Sequence, residues 1–134
     1  MQYLLMIYRS EAELFKMNDA DRQKMTTEYG TFTQSIIQSG QFKAGDGLQP
    51  STTATTVRVR EGKVLTTDGP FAETREQLGG YFLVDAKDLD EAIGIAGSIP
   101  GARKGTVEIR PVLEVGQASG PVPSHAYQNQ SESI

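Results

Sequence analysis

Two short runs, residues 3–8 (Tyr-Leu-Leu-Met-Ile-Tyr) and 81–84 (Tyr-Phe-Leu-Val), carry an apolar or aromatic side chain at every position. Each has the length of a β-strand. Successive side chains of a strand point to opposite faces, so each run turns apolar groups both ways. Tyr3, Leu5 and Ile7 fall on one face of the first run, and Leu4, Met6 and Tyr8 on the other. A sheet built around them must be covered twice. Helices of the same chain can cover one face, and the other then calls for a second sheet or a partner subunit. A chain of 134 residues has room for one core and not for two ordinary domains. The expected solution is one domain that pairs with a copy of itself as a homodimer.

The remaining segments supply the helices and the other strands. Asn18 or Asp19 is placed to cap a helix on which Met25, Tyr29, Phe32 and Ile36 form one apolar stripe, stopped at Gly40. All four stripe residues are expected in the core. Residues 42–47 predict a short strand breaking into a glycine-rich loop that lacks both the lysine of a phosphate-binding loop and a third glycine. Residues 54–60 and 63–67 are β-prone and are separated by Glu61-Gly62, a two-residue hairpin turn, with Val57 and Val59 expected on a packed face. Asp88 is placed to cap a second helix with Leu89, Ile93 and Ala96 on its buried side, ending near Pro100-Gly101. Residues 106–112 alternate cleanly, Val107 and Ile109 against Glu108 and Arg110. The resulting order is β-α-β-β-α-β with a hairpin inserted, a ferredoxin-like α+β sandwich whose bare sheet face closes a dimeric α+β barrel. The domain is expected over residues 1–115, with the polar stretch 116–134 as a disordered tail.

Composition excludes several function classes. Thirteen basic residues against seventeen acidic ones give a formal charge of −4, which offers no basic footprint for nucleic acid or an anionic membrane. The absence of cysteine removes disulfides, thiolate metal sites and a cysteine nucleophile. His125 is the single histidine and lies in the tail, so no two-histidine metal site exists within one chain. No cofactor is expected. The first apolar run is too short to span a bilayer and lacks a basic flank, so the expected location is the cytoplasm.

The densest stretch is 68–81, Asp-Gly-Pro-Phe-Ala-Glu-Thr-Arg-Glu-Gln-Leu-Gly-Gly-Tyr, leading into Phe82-Leu83. With Thr55-Thr56-Val57-Arg58-Val59-Arg60 and Gly105-Thr106-Val107-Glu108-Ile109-Arg110-Pro111, it resembles the DGPF-type branch of the YCII-related proteins. The likeness runs from Tyr3 through Val112. It implies the dimeric ferredoxin-like fold and no settled activity, together with a link to extracytoplasmic-function sigma factors, beside which similar members are often encoded. In the other branch of that family a proposed enzymatic site pairs a histidine on the first helix with an aspartate before the last strand. Here the first helix has no histidine and Ile99 precedes Pro100, so that dyad does not carry over.

Candidate chemistry therefore rests on a few residues. Asp68 is the leading carboxylate, at a strand end before a flexible glycine, either as a proton-handling group or as a cap of its own turn. Pro70 and Phe71 are expected to lock and anchor the loop. Glu73 and Arg75 sit in a charged segment that reads as solvated or as a docking surface. Arg75 or Arg110 suits a carboxylate or phosphate, while Asp68 or Glu108 suits a proton. If the bare sheet face lines a dimer cavity, Glu108 and Arg110 point into it and Tyr8 or Tyr81 walls it; alternatively Glu108 and Arg110 form a dimer salt bridge. Two functions follow: a small-molecule-binding dimer with a sensing or regulatory role, which is preferred, and a proton-transfer, lyase or isomerase enzyme using Asp68 with an arginine.

Overall fold

The computed structural model describes residues 1–114, and the expected tail lies outside them. Six strands and three α-helices follow one another: β1 (Gln2–Arg9), α1 (Glu11–Phe15), α2 (Asp19–Gln38), β2 (Phe42–Gly47), β3 (Thr55–Arg60), β4 (Lys63–Asp68), β5 (Gln77–Asp85), α3 (Leu89–Gly97) and β6 (Thr106–Pro111). Four of the strands form one antiparallel sheet in the order β2-β5-β1-β6, while β3 and β4 pair only with each other. This α+β arrangement is compatible with a ferredoxin-like fold. The two doubly apolar runs occupy the two central strands, where both edges of each are hydrogen-bonded.

The helix-facing side of the sheet is the core. Tyr3, Leu5, Ile7, Phe82 and Val84 are buried there against Phe32 and Ile36 of α2 and Ala92, Ile95 and Ala96 of α3, with Ile99 fully buried beyond it. Phe82 is held edge-on by two rings, Phe32 at 5.1 Å and Phe42 at 6.4 Å between centroids. On the opposite side, register places Asp46, Tyr81, Met6 and Glu108 in one row across all four strands, and Ala44, Leu83, Leu4 and Arg110 in the next. Leu4, Met6, Tyr8, Tyr81 and Leu83 are only half-buried.

Local signals are realised where they act on the backbone. Asn18 caps α2 by accepting from the Asp21 amide at 2.8 Å, Asp88 caps α3 by accepting from Glu91 at 2.9 Å, and Gly40 takes a φ of 77° just past α2. Glu61 and Gly62 both adopt positive φ, 51° and 75°, the turn that matches the twist of a hairpin. Gly80 is needed for a different reason: a Cβ there would lie 2.9 Å from the Asp46 carbonyl oxygen, so only glycine lets β2 pair this closely with β5.

Four expectations change. Leu89 and Ile93 are 50% and 52% exposed, and α3 buries Ala92, Ile95 and Ala96 instead, because its cap at Asp88 and its seat on the sheet set a different rotational phase. In the hairpin, Val57, Val59 and Val64 share one face by register and all are exposed, so the face expected to pack is left uncovered by the described residues. Phe71 is 80% exposed and anchors nothing. The segment after β1 contains α1, a five-residue helix with no buried residue, capped by Ser10. Polar bonds hold it: its first amide donates to Gln77 Oε1 at 2.9 Å, and the Glu11 carboxylate accepts from the Ser51 amide at 2.6 Å and from Ser51 Oγ at 2.7 Å.

Candidate functional site

The expected break of β2 into a loop does not occur. The strand runs through Gly47, and its glycines, with Gly79 and Gly80 of β5, leave the floor of the helix side without side chains. Over that floor stands α2, and between them lies a cavity of about 410 Å³. Ile7, Leu14, Met25, Phe42 and Phe82 provide apolar wall and Arg9, Tyr29 and Thr33 the polar points, while Asp46 and Tyr81 border the cavity from positions whose side chains register turns to the bare side of the sheet. Of the stripe, Met25 leaves the predicted core role and is half-buried cavity wall, while half-buried Tyr29 packs against the core and also lines the cavity, and Phe32 and Ile36 are buried.

Each polar point has a definite state. Tyr29 Oη accepts the Gly101 amide at 3.1 Å, and burial holds its phenol above the ordinary pKa. Tyr81 Oη donates to Asp46 Oδ2 at 2.6 Å, and that hydrogen bond, with the nearby carboxylate charge, raises the Tyr81 pKa. Arg9 differs from both. It is half-buried, its Nη1 donates to Met25 Sδ at 3.4 Å, and among the described residues it enters no ion pair. A guanidinium has five N–H donors and a thioether is a weak acceptor, so most of the Arg9 binding capacity remains open. A planar cation of this kind in an apolar wall is suited to a carboxylate or phosphate.

Met25 and Arg9 also border a second cleft, of about 350 Å³, on their far side. Its charged lining is Arg9, Lys24, Arg103 and Lys104 against Asp21 and Glu28, and Arg103 is paired with Glu28. The two spaces share only the Arg9–Met25 contact as a partition.

Of the residues expected from the sequence, Tyr81 borders this helix-side cavity by position only, since register turns its side chain to the bare side of the sheet. Tyr8, Glu108 and Arg110 lie with it on the bare side of the sheet by register, Tyr8 half-buried and the two charges exposed. Asp68, Glu73 and Arg75 are exposed, and none of them lines the cavity. The turn after Asp68 is fixed by the backbone and by Thr56: the Gly69 amide donates to the Ala54 carbonyl at 2.7 Å and Thr56 Oγ1 to the Gly69 carbonyl at 2.8 Å. Glu76 accepts from Thr106 Oγ1 at 2.8 Å, which ties the charged segment to β6. Sequence reasoning passed over Arg9. Its signal was parity, since Arg9 continues the series Tyr3, Leu5, Ile7 and therefore points to the covered side of the sheet.

Sheet order and helix layer give an α+β domain compatible with a ferredoxin-like fold, with a partly open cavity beneath its long helix. The chain belongs to the YCII-related family, whose domain matches residues 1–116. It is also similar to an uncharacterised protein of Rhizobium meliloti (strain 1021), 31% identical over 114 residues that cover 84% of this chain and 92% of the relative. No helix among the described residues is long and apolar enough to cross a membrane, and no cluster of acidic or histidine side chains among them is arranged to hold a metal ion.

Proposed function

We propose that this protein is a homodimeric, cytoplasmic small-molecule-binding protein of the DGPF-type branch. It acts as a sensor or regulator, and its ligand sits beneath α2 and is held through Arg9. One observation carries the reading: an apolar cavity of about 410 Å³ whose wall includes a half-buried arginine with no ion-pair partner among the described residues. Leaving such a charge unpaired in a partly apolar setting is costly, and an anionic ligand relieves that cost. Binding is favoured over catalysis because Asp46, the acid among the lining residues, lies by register on the bare side of the sheet, where it accepts the Tyr81 hydroxyl. Asp68, the leading candidate for proton transfer, lies outside the cavity wall. The dimer is supported by the half-buried Leu4, Met6 and Leu83 on the bare sheet face, where a second copy supplies the missing cover.

The four methionines give a direct test. Met25 lines the cavity, Met6 lies on the bare sheet face, and Met1 is on neither. In protein labelled at the methionine methyl groups, octanoate is expected to shift Met25 in a saturable way and to leave Met6 unmoved. Filling the cavity with Thr33→Phe is expected to abolish that shift while the circular dichroism spectrum is retained. A shift at Met6 without one at Met25 would place the ligand on the bare face and refute the reading.

A further inference from the structure

The Arg9–Met25 partition has different chemistry on its two sides. Toward the sheet lie Ile7, Leu14, Phe42 and Phe82, and toward the loop after α3 lie Lys24, Arg103 and Lys104. With Arg103 engaged by Glu28, the second cleft still sets three cations, Arg9, Lys24 and Lys104, against the single carboxylate of Asp21. That surplus stands out on a chain whose formal charge is −4. A carboxylate head would be satisfied by Arg9 alone through a bidentate pair. A surplus of two positive charges, shared between one planar fork and two point-charge ammonium groups, suits a dianion with three acceptor oxygens.

We propose, resting on the cavity reading above, that the ligand is an amphipathic phosphomonoester. Its apolar body lies under α2, and its phosphate passes the Arg9–Met25 contact into the basic cleft. Met25 is the movable element of the partition, since an unbranched thioether side chain changes rotamer easily and its bond from Arg9 is weak. Arg9 then contacts the phosphate from the cavity side, with Lys24 and Lys104 on the far side.

Met17 makes the proposal testable, because it lines the cleft and does not line the cavity. Octyl phosphate, octanol and inorganic phosphate are titrated separately into the methyl-labelled full chain, with dissociation constants taken from the shifts. Octyl phosphate is expected to move both Met25 and Met17 and to bind at least tenfold tighter than octanol, which moves Met25 alone. Lys24→Gln with Lys104→Gln is expected to remove that advantage and leave octanol binding unchanged. If octyl phosphate binds no tighter than octanol and leaves Met17 still, the phosphomonoester proposal fails while the cavity reading stands. If neither octyl compound moves Met25, both fail. If inorganic phosphate matches octyl phosphate at Met17 in affinity, the cleft is an independent anion site and the bipartite ligand is overturned.

Discussion

The four-stranded sheet and the β3–β4 hairpin are made of similar material and have opposite fates. Both are antiparallel and both contain β-branched and aliphatic residues, and the hairpin even keeps an unbroken register where the β1–β5 pairing carries a bulge. Yet Leu5 and Val84 are completely shielded from solvent, while Val59 and Val64 are 57% and 68% exposed. Backbone pairing is therefore not what separates a core from a surface arm here. The difference is the helix layer, which reaches β1 and β5 and does not reach β3 and β4. A pattern of alternation specifies a strand and its two faces, and it leaves open what covers them.

Substitutions of matched type probe that contrast most directly. Leu5→Ala, in the fully covered strand, is expected to lower unfolding stability by about 2–5 kcal/mol in urea titrations, the cost of a cavity in a close-packed core. Gly80→Ala should follow at about 1–3 kcal/mol, because its Cβ meets the Asp46 carbonyl. Tyr29→Phe removes the acceptor for the Gly101 amide and is expected to cost about 1 kcal/mol. It should also change the alkaline limb of stability. The Tyr29 phenol sits above its ordinary pKa of 10.0 in the folded chain, so its contribution is complete below that pH and is lost as pH rises through the higher folded value. The variant should show a shallower loss there. Smallest of all, Val59→Ala is expected to fall within about 0.5 kcal/mol for an uncovered surface position. A cost in the range found for Leu5→Ala would break the contrast and show that a second copy covers the hairpin in solution.

Elements whose cause is local were legible from the residues alone. The Glu61-Gly62 turn, the Asp88 cap and the Gly40 stop each act within one or two turns of chain, as does the α2 cap, for which the residues alone leave Asn18 and Asp19 as alternatives and the structure selects Asn18. The phase of α3 was not legible, because Leu89 and Ile93 are as apolar as Ile95. What selects among them is the seat on the sheet. The cavity was harder still, since its floor consists of missing side chains at Gly45, Gly47, Gly79 and Gly80, and an absence reads as a turn in one dimension. Arg9 escaped because a charge at the end of an apolar run looks like a stop signal until strand parity assigns it a side.

The polar attachment of α1 bears on the timing of exchange. Leu14 is part of the cavity wall, and the helix that carries it buries nothing. Its tethers from the Glu11 carboxylate to Ser51 and from its first amide to Gln77 can all be replaced by water, so this wall opens at a smaller free energy than the sheet or α2. For the ligand proposed above, residence time is then governed by these edge hydrogen bonds together with the one from Arg22 Nη2 to the Leu14 carbonyl, and loosening Glu11 accelerates release without altering the surfaces that determine what is bound.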